Sequence, residues 1–247
     1  MHNLRERYLE NGYCIVKDLN SIISPKIDKI FQELTEIGKT FEKNFDLTSP
    51  KSIANANKDK FYRAIKYPIG IFNLAATKEL VEIVKKLNCQ TPTLNGAWVR
   101  ADISTEKNHA TGWHQDGPNV MGSFKNGVCT WFPLFEVNKD IGSMEVIKKS
   151  HLKGVYKFKI KKDGGLNVDD DSVPVEGREI INIKKGEFVI FHPLLIHRSH
   201  YPTLSNKTRV TAMIRFDDMS DKKHRKNGYI TSFDGKNIIT APQYKDF

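Results

Sequence analysis

The stretch Thr111-Gly-Trp-His-Gln-Asp-Gly-Pro-Asn119 decides how the rest of this 247-residue sequence is interpreted. Within it, His114 and Asp116 are separated by a single residue. In an extended strand, residues two apart project to the same face. An imidazole nitrogen and a carboxylate oxygen side by side supply two of the three ligands of a facial metal site. The third ligand must then come from another part of the chain.

The best source of a third ligand is Gly186–Ser199, an apolar, β-favouring run that ends in two histidines, His192 and His197. Two histidines and one carboxylate on one face leave three coordination positions open. That arrangement suits non-haem Fe(II), which must hold a bidentate cosubstrate and still bind O₂. His192 precedes a proline and could instead end a strand or line the pocket, so both histidines remain candidates here.

A third informative segment begins shortly after His197. Alternation along a strand places one set of side chains on a common face: Arg209, Thr211, Met213 and Arg215. A guanidinium that points into a barrel is a suitable partner for a carboxylate. A turn and a neighbouring antiparallel strand would bring Arg209 beside the metal. Arg215 is an alternative for that role, and it could also bind an anionic substrate group or a structural carboxylate such as Asp217.

The chain divides into a mainly helical part, residues 1–90, and a β-rich part, residues 91–217, within a single expected domain over residues 1–247. Helices are predicted at Leu4–Glu10, from the start signal Ser24-Pro25 to Gly38, and after a Thr77 cap. Residues 42–60 are polar without periodicity and are predicted to form a loop or lid. Residues 218–247 form a C-terminal extension.

Nine β-favouring runs separated by turn residues follow residue 91. They are Thr93–Ile103, Gly112–Asp116, Val128–Val137, Ser143–Ile147, Val155–Lys161, Glu179–Ile183, Glu187–His192, Ile196–Ser199 and Thr208–Asp217. A helical start followed by so many short strands predicts a mostly β fold with flanking helices. The helices would brace one side of a closed or double-sheet, jelly-roll-like core.

Composition excludes several classes of protein. Three separate cysteines allow no disulfide framework, and no apolar run approaches the roughly 20 residues of a membrane helix. The sequence is therefore expected to be soluble, membrane-free and cytoplasmic. The net charge of +10 is spread along the chain, with its densest clusters at Lys157–Lys162 and Lys222–Lys226. No nucleic-acid-binding motif accompanies them, so nucleic acid is an unlikely partner and an anionic small molecule is mildly favoured.

Taken in order from about residue 95 to 217, these motifs resemble the phytanoyl-CoA dioxygenase family of Fe(II)- and 2-oxoglutarate-dependent oxygenases. His114-Gln-Asp116 resembles the family's HxD metal motif, and Gly142–His151 resembles its "NG-l-v-PGSH" stretch, although Lys148-Lys149 replace Pro-Gly. Tyr8–Tyr13 resembles the family's opening weakly.

The resemblance implies a double-stranded β-helix, a cupin-like fold, and a role for each matched residue. His114, Asp116 and His197 would bind Fe(II). Arg209 and Ser199 would bind the distal carboxylate of 2-oxoglutarate, and Trp131 would line its pocket unless it only packs the core. Hydroxylation of an unactivated C–H bond would consume O₂ and release succinate and CO₂, and ascorbate would support activity. The family's halogenases lack the carboxylate ligand, so Asp116 favours hydroxylation. No other catalytic residue is expected.

Substrate contacts are less determined by the sequence. The candidates are Arg215, Arg100, Trp113 and Lys66. Arg100 and Asp102 share a strand face with Trp98, and a structural ion pair between them is an equal alternative. The expected substrate is a small molecule, anionic or carrier-linked; its identity and the oligomeric state are not readable from the sequence. The alternative function is a cupin-like metal-binding protein or isomerase that does not use 2-oxoglutarate.

Overall fold

The computed structural model of the chain describes residues 2–103, 111–121, 125–161, 165–202 and 207–222. Its helices are α1 (His2–Asn11), α2 (Asn20–Lys39), α3 (Pro50–Asn55), α4 (Lys58–Ala64), α5 (Ile69–Ala75), α6 (Lys78–Leu87) and α7 (Asp116–Val120). Its strands are β1 (Tyr13–Val16), β2 (Pro92–Ile103), β3 (Val128–Pro133), β4 (Met144–Ile147), β5 (Phe158–Ile160), β6 (Leu166–Val168), β7 (Arg178–Ile180), β8 (Phe188–Phe191), β9 (His197–Ser199) and β10 (Thr208–Asp218).

Two antiparallel sheets make up the core of the fold. The larger has the strand order β1-β8-β3-β10-β2 and the smaller has the order β7-β4-β9, while β5 and β6 form a separate hairpin. Side chains from β2, β3 and β10 on one side and from β4 and β9 on the other line a common cavity. This is the predicted mostly β, jelly-roll architecture with flanking helices, although the two sheets do not close into a barrel in the described residues.

Strand β10 separates the helical core from the cavity. Val210, Ala212 and Ile214 are fully buried in the apolar core that the larger sheet forms with the helices. The alternating residues on the other face, from Arg209 to Arg215, line the cavity. The period of two in a strand therefore gives β10 an apolar face and a polar, functional face.

Helix α2 begins one turn earlier than the sequence indicates. The N–H of Ile23 already bonds to the carbonyl of Leu19, so Asn20 starts the helix and Pro25 lies inside it. Pro25 has no N–H to donate to the preceding turn, a local cost that tertiary packing offsets. The predicted apolar face is largely correct, because Ile27, Ile30 and Leu34 are fully buried; Ile23 extends this face.

Residues 42–60 are not the loop that their polarity suggested. They contain α3 and the start of α4, and Phe45, Leu47 and Ile53 belong to the main core. The ring of Phe45 occupies the space where Gly38 has no side chain, since a Cβ at Gly38 would lie only 2.1 Å from it. None of these residues lines the cavity, so the segment supports the core and does not act as a lid over this site.

Six of the nine β-favouring runs after residue 91 form shorter strands, and β2 and β10 are each one residue longer than predicted. The run Gly112–Asp116 forms only one antiparallel bridge, at His114, and α7 begins at Asp116 because Pro118 fits the first turn of a helix. Strand β6 was not predicted.

Residues 223–247, which contain most of the expected C-terminal extension and of the second basic cluster, lie outside the described residues. No helix in the described part of the chain is long and apolar enough to cross a bilayer.

Candidate metal centre and cosubstrate cavity

The two candidate histidine ligands face each other across one antiparallel bridge. The backbones of His114 and His197 exchange two N–H···O bonds of 3.0 Å each, and their ring centroids are 4.1 Å apart. Next along the same edge, the N–H of Ser199 donates to the carbonyl of Thr111 over 3.0 Å. Segment 111–114 therefore runs beside β9, and this pairing brings residues distant in sequence to one place.

Gln115, between the two motif residues, holds the turn that presents Asp116. Its side-chain nitrogen donates to the carbonyls of Leu194 and Gly154 over 2.7 and 2.9 Å, and its oxygen accepts from the N–H of Tyr156 over 2.9 Å. Gln115 is buried and points away from the ligands. Its extended backbone lets His114 and Asp116 project to the same side even though no regular strand exists there.

Both imidazoles are oriented by backbone carbonyls. Nδ1 of His114 lies 2.8 Å from the oxygen of Gly112, and Nδ1 of His197 lies 3.0 Å from that of Leu195. A carbonyl oxygen can only accept a hydrogen bond, so Nδ1 carries the proton and Nε2 keeps a lone pair. A metal-ligating histidine requires this tautomer, held by a second partner behind the ring.

The three donor atoms converge. Oδ1 of Asp116 lies 3.5 Å from Nε2 of His114 and 3.8 Å from Nε2 of His197, and one ligand atom from each residue lies within 4.8 Å of the others. This is the one such His/Cys/Asp/Glu group in the described part of the chain. Two neutral nitrogens and one carboxylate oxygen fit a first-row divalent metal with open positions.

The charge states of the group suit metal binding. Burial, with a further contribution from His114, lowers the pKa of His197 to about 3, so this imidazole is neutral at ordinary pH. Burial alone would raise the pKa of Asp116, but the Arg215 guanidinium and the two imidazoles outweigh it and hold that pKa well below its usual value. The site therefore offers an ionised carboxylate and a neutral imidazole without first releasing a proton.

Arg215 holds Asp116 in a bidentate pair. Its Nε donates to Oδ2 over 2.8 Å and its Nη2 to Oδ1 over 2.7 Å, while its guanidinium lies 4.4 Å from the Trp98 ring centroid. The carboxylate that Arg215 pairs with is therefore Asp116 and not the Asp217 named as an alternative. Asp217 accepts instead from Asn95 over 2.7 Å. Arg215 is thus placed to orient a metal ligand.

Arg209 lies on the same face of β10 and is also buried. Its Nη2 is 2.7 Å from Oδ2 of Asp102 and 3.4 Å from Oγ of Ser199, and its Nη1 donates to the carbonyl of Ser143 over 2.9 Å. Asp102 also accepts from Nε of Arg100 over 2.6 Å, so one carboxylate bridges two arginines. The predicted Arg209–Ser199 pair is therefore assembled in one place and held by a third residue.

A cavity of about 140 Å³ lies between the two sheets. His114, His197, Arg209, Ser199 and Trp131 all line it. The fold thus brings five predicted site residues from segments far apart in the chain to one cavity.

The other candidates are placed differently. Arg100 and Arg215 line the cavity, but Trp113 and Lys66 do not. Trp113 packs between the guanidiniums of Arg178 and Arg198, and the ammonium of Lys66 lies 5.2 Å from the Tyr67 ring centroid. Substrate contact by Trp113 and Lys66 has no support in this arrangement.

The rival metal ligand His192 is also outside the site. Its Nδ1 accepts from the N–H of Leu194 over 3.0 Å, and its ring lies beside those of Tyr8 and His151. His151 bonds through Nε2 to the carbonyl of Leu9 over 3.0 Å, as expected of a residue that tethers a turn. These two histidines therefore anchor the N-terminal region.

Sequence reasoning missed several contributors to the site. Arg198 and Thr111 line the cavity, and Ser143 contributes the carbonyl that holds Arg209. Thr111 belongs to the HxD stretch and Arg198 directly follows a candidate ligand, so proximity along the chain was a usable signal for both. A backbone carbonyl such as that of Ser143 has no signal in residue type.

Comparisons of the sequence with a family model and with curated proteins identify the same family. The sequence model of the phytanoyl-CoA dioxygenase (PhyH) family matches residues 8–221. The peroxisomal phytanoyl-CoA dioxygenase of Homo sapiens is 24% identical over 217 residues, which cover 79% of this chain and 62% of the human protein. The Arabidopsis thaliana phytanoyl-CoA dioxygenase is 27% identical over 119 residues, covering 47% and 42%. The chain thus spans less than two thirds of the length of these curated relatives.

Solved structures share the fold. The epimerase SnoN, in complex with Fe³⁺, alpha ketoglutarate and nogalamycin RO, is 16% identical with a TM-score of 0.61, covering 88% of this chain and 83% of its own. EvdO2 from Micromonospora carbonacea var. aurantiaca, complexed with 2-oxoglutarate, is 14% identical with a TM-score of 0.61, covering 87% and 90%. At these identities the likeness establishes a common architecture.

Proposed function

The chain belongs to the phytanoyl-CoA dioxygenase family, and from this premise we propose that it is an Fe(II)- and 2-oxoglutarate-dependent oxygenase that hydroxylates a C–H bond of a small molecule. The observation that carries the proposal is the convergence of His114, Asp116 and His197. The two histidines line the same cavity as Arg209 and Ser199, whose side chains lie 3.4 Å apart. A metal site without the arginine would fit many reactions; the two together fit this one.

His114, Asp116 and His197 would hold the metal. Fe(II) with 2-oxoglutarate, when bound, supplies the O₂-dependent oxidation that gives succinate, CO₂ and the oxidised substrate. The chain's contribution is orientation: carbonyls fix the two imidazoles and Arg215 restrains the carboxylate. A ligand set held in this way need not reorganise when the metal arrives.

Arg209 and Ser199 would bind the distal carboxylate of 2-oxoglutarate. Asp102 and the Ser143 carbonyl hold the Arg209 fork, so its direction is set before the cosubstrate arrives. Trp131 and Met213, paired across neighbouring strands, form part of the cavity wall and exclude water from one side. Low local polarity at that wall strengthens the charge-assisted bonds at the arginine.

The direct test measures succinate released from 2-oxoglutarate by the purified protein with Fe(II) and ascorbate, in the presence and absence of candidate substrates. Turnover that requires both Fe(II) and 2-oxoglutarate is expected. Asp116→Ala should retain less Fe(II) and lose hydroxylation, whereas Arg178→Ala, which changes an arginine outside the cavity, should behave as the unmodified chain. Protein that binds neither Fe(II) nor 2-oxoglutarate at millimolar concentration would contradict the proposal and favour a cupin-like protein of another class.

A further inference from the structure

Two further arginines line the cavity without direct contact with Asp116 or Ser199. Arg100 lies on β2 of the larger sheet and Arg198 lies on β9 of the smaller sheet. We infer that the substrate carries an oxyanion, a carboxylate or a phosphate, which Arg100 and Arg198 bind at the cavity mouth. The inference rests on the proposed function, because it names the class of substrate that the same cavity would accept.

Side-chain exposure separates the four cavity arginines by depth. The side chains of Arg209 and Arg215 are each 9% exposed, whereas those of Arg100 and Arg198 are 30% and 29% exposed. The buried pair therefore lies at the base, near the candidate metal ligands and Ser199. The half-buried pair lies nearer to solvent, where it would contact a substrate that binds after the metal and the cosubstrate occupy the base.

Each outer arginine is anchored through Nε alone. Nε of Arg100 is 2.6 Å from Oδ1 of Asp102, and Nε of Arg198 is 2.7 Å from Oε2 of Glu145. In the part of the chain that the structure describes, the terminal nitrogens of both arginines have no hydrogen-bond partner. The flat face of Arg198 also packs 4.4 Å from the Trp113 ring centroid. An arginine fixed at Nε keeps its two terminal nitrogens for a planar oxyanion.

The charges of the cavity leave one positive charge to be matched. Arg100, Arg198, Arg209 and Arg215 line it. Their carboxylate partners are Asp102, Asp116 and Glu145. These arginines and carboxylates together have a net charge of +1, and Fe(II) together with the dianion of 2-oxoglutarate adds no net charge. A positive charge that is partly removed from water favours a matching negative charge, so an anionic substrate complements the set.

The test measures binding to protein loaded with Ni(II) and saturating 2-oxoglutarate, using isothermal titration calorimetry. The probes are hexanoate, hexyl phosphate and, as the uncharged equivalent, hexanamide. We expect at least one anion to bind and hexanamide not to bind. Arg100→Met should weaken anion binding about tenfold to a hundredfold, since a charge-assisted hydrogen bond is lost. Hexanoate binding alone identifies a carboxylate substrate, and hexyl phosphate binding alone identifies a phosphate.

Three controls keep the result interpretable. Arg178→Met removes the other arginine stacked on Trp113, which does not line the cavity, and should leave anion binding unchanged. Arg198→Met removes the ion pair of the buried Glu145 carboxylate, which then keeps only a long 3.5 Å contact with Nδ1 of His200 among the described residues. The substitution is therefore made together with Glu145→Gln, and Arg198→Lys is measured for comparison. The affinity for 2-oxoglutarate, measured first, tests the proposed function by itself.

Three outcomes would overturn the inference while the proposed function stands. Hexanamide could bind as tightly as the anions, or the Arg100 and Arg198 variants could bind anions as the unmodified chain does. In the third outcome, neither anion binds at about 20 mM, where two half-buried arginines should already bind an oxyanion, while 2-oxoglutarate still binds. Loss of 2-oxoglutarate binding itself would instead remove the proposed function.

Discussion

The carboxylate of Asp116 lies between the guanidinium of Arg215 and the imidazoles of His114 and His197. Its negative charge is therefore available both to the guanidinium and to a metal ion that the imidazoles would help to bind. Both oxygens of the carboxylate are bonded to Arg215. A buried carboxylate without a counter-charge is strongly destabilising, so Arg215 supplies that charge in the metal-free protein. A bound divalent ion would supply it a second time.

Arg215→Met should therefore destabilise the metal-free protein more than the metal-loaded protein. Removing one partner of a buried pair costs about 3–5 kcal/mol, and a bound cation recovers part of that loss by neutralising Asp116. The measurement is thermal unfolding of both proteins in EDTA and in excess Ni(II). The Ni(II)-induced rise in Tm should be larger for the variant; equal rises would show that Arg215 and the metal do not act on the same carboxylate.

Arg209→Ala should raise the concentration of 2-oxoglutarate required for binding by about tenfold to a thousandfold. The substitution removes a charge-assisted bond to the cosubstrate, about 1.5–3 kcal/mol, and the loss is larger when the distal carboxylate of the cosubstrate is left unpaired. Asp102 keeps Arg100 as its remaining partner. Calorimetric titration of the Ni(II)-loaded protein measures the effect. Arg209→Lys should lose less, because it keeps the charge but not the fork. An unchanged dissociation constant for both variants would rule out the assignment.

His192 makes stability depend on pH in a defined window. Burial, with a contribution from His151, lowers the pKa of folded His192 to about 4, below the ordinary value of about 6.5 for an unfolded chain. Between these values the unfolded chain binds the extra proton and the folded chain does not, so stability is full above about pH 6.5 and falls toward pH 4.

His192→Asn keeps an acceptor near the N–H of Leu194 and removes the titration, so we expect its unfolding free energy to decline less over that window. Urea titrations at several pH values measure this difference. Parallel declines in the two proteins would assign the acid sensitivity to other groups.

Sequence reasoning reached the residues of the site better than their partners. Residue types and spacing indicated His114, Asp116, Arg209 and the alternatives His192 and His197, whereas the family resemblance selected His197 and added Ser199. Residue types and spacing did not reveal that Arg215 pairs with Asp116. Spacing along β10 determines which face of the strand a side chain occupies, but not which carboxylate from another segment lies next to it. Pairings of this kind depend on the relative position of the two sheets.

At the level of helices and strands, the spacing of apolar residues predicted the elements that are long enough to show a period. The apolar face of α2 and most strands of the β-rich part follow from spacings of three to four or of two residues. Apolar spacing did not predict the helices between residues 50 and 64, because they are six and seven residues long and too short to show a period. Their position is fixed by tertiary contacts such as Phe45 against Phe61, whose ring centroids are 4.8 Å apart.

Gly38→Ala should destabilise the protein although alanine favours helices. In an exposed helix the change would stabilise by about 0.5–1 kcal/mol. Here the new Cβ would meet the buried ring of Phe45, and overpacking of this kind costs about 1–3 kcal/mol. Denaturant unfolding measures the net change. Gly38→Ala combined with Phe45→Leu should recover part of the loss; a Gly38→Ala protein as stable as the parent would mean that Phe45 moves freely.

Considered as a whole, the molecule divides the site between its two sheets. His197 and the segment holding His114 belong to the smaller sheet, while Arg209 belongs to the larger. A metal ion and a cosubstrate bound together would link the sheets through one complex. Ligands that bind only the folded state stabilise it by mass action.

Ni(II) and 2-oxoglutarate should therefore raise Tm together by more than the sum of their separate effects. At a concentration about 100 times its dissociation constant, one ligand stabilises by about 2.7 kcal/mol. Differential scanning calorimetry with each ligand alone and with both measures the coupling, and Arg209→Ala should abolish the excess. Strictly additive shifts would indicate that the two sites are independent.

The pairing of β1 with β8 governs how the polypeptide can assemble. Tyr13 lies opposite Phe191, so β1 pairs with a strand that the ribosome makes much later. On the ribosome, the helices that follow β1 can form early, but the sheet edge that receives β1 does not yet exist. Such non-local pairing slows folding and prolongs the exposure of apolar surface in the nascent chain. Recombinant yield should consequently respond more to synthesis rate and chaperone supply than to local helix propensity.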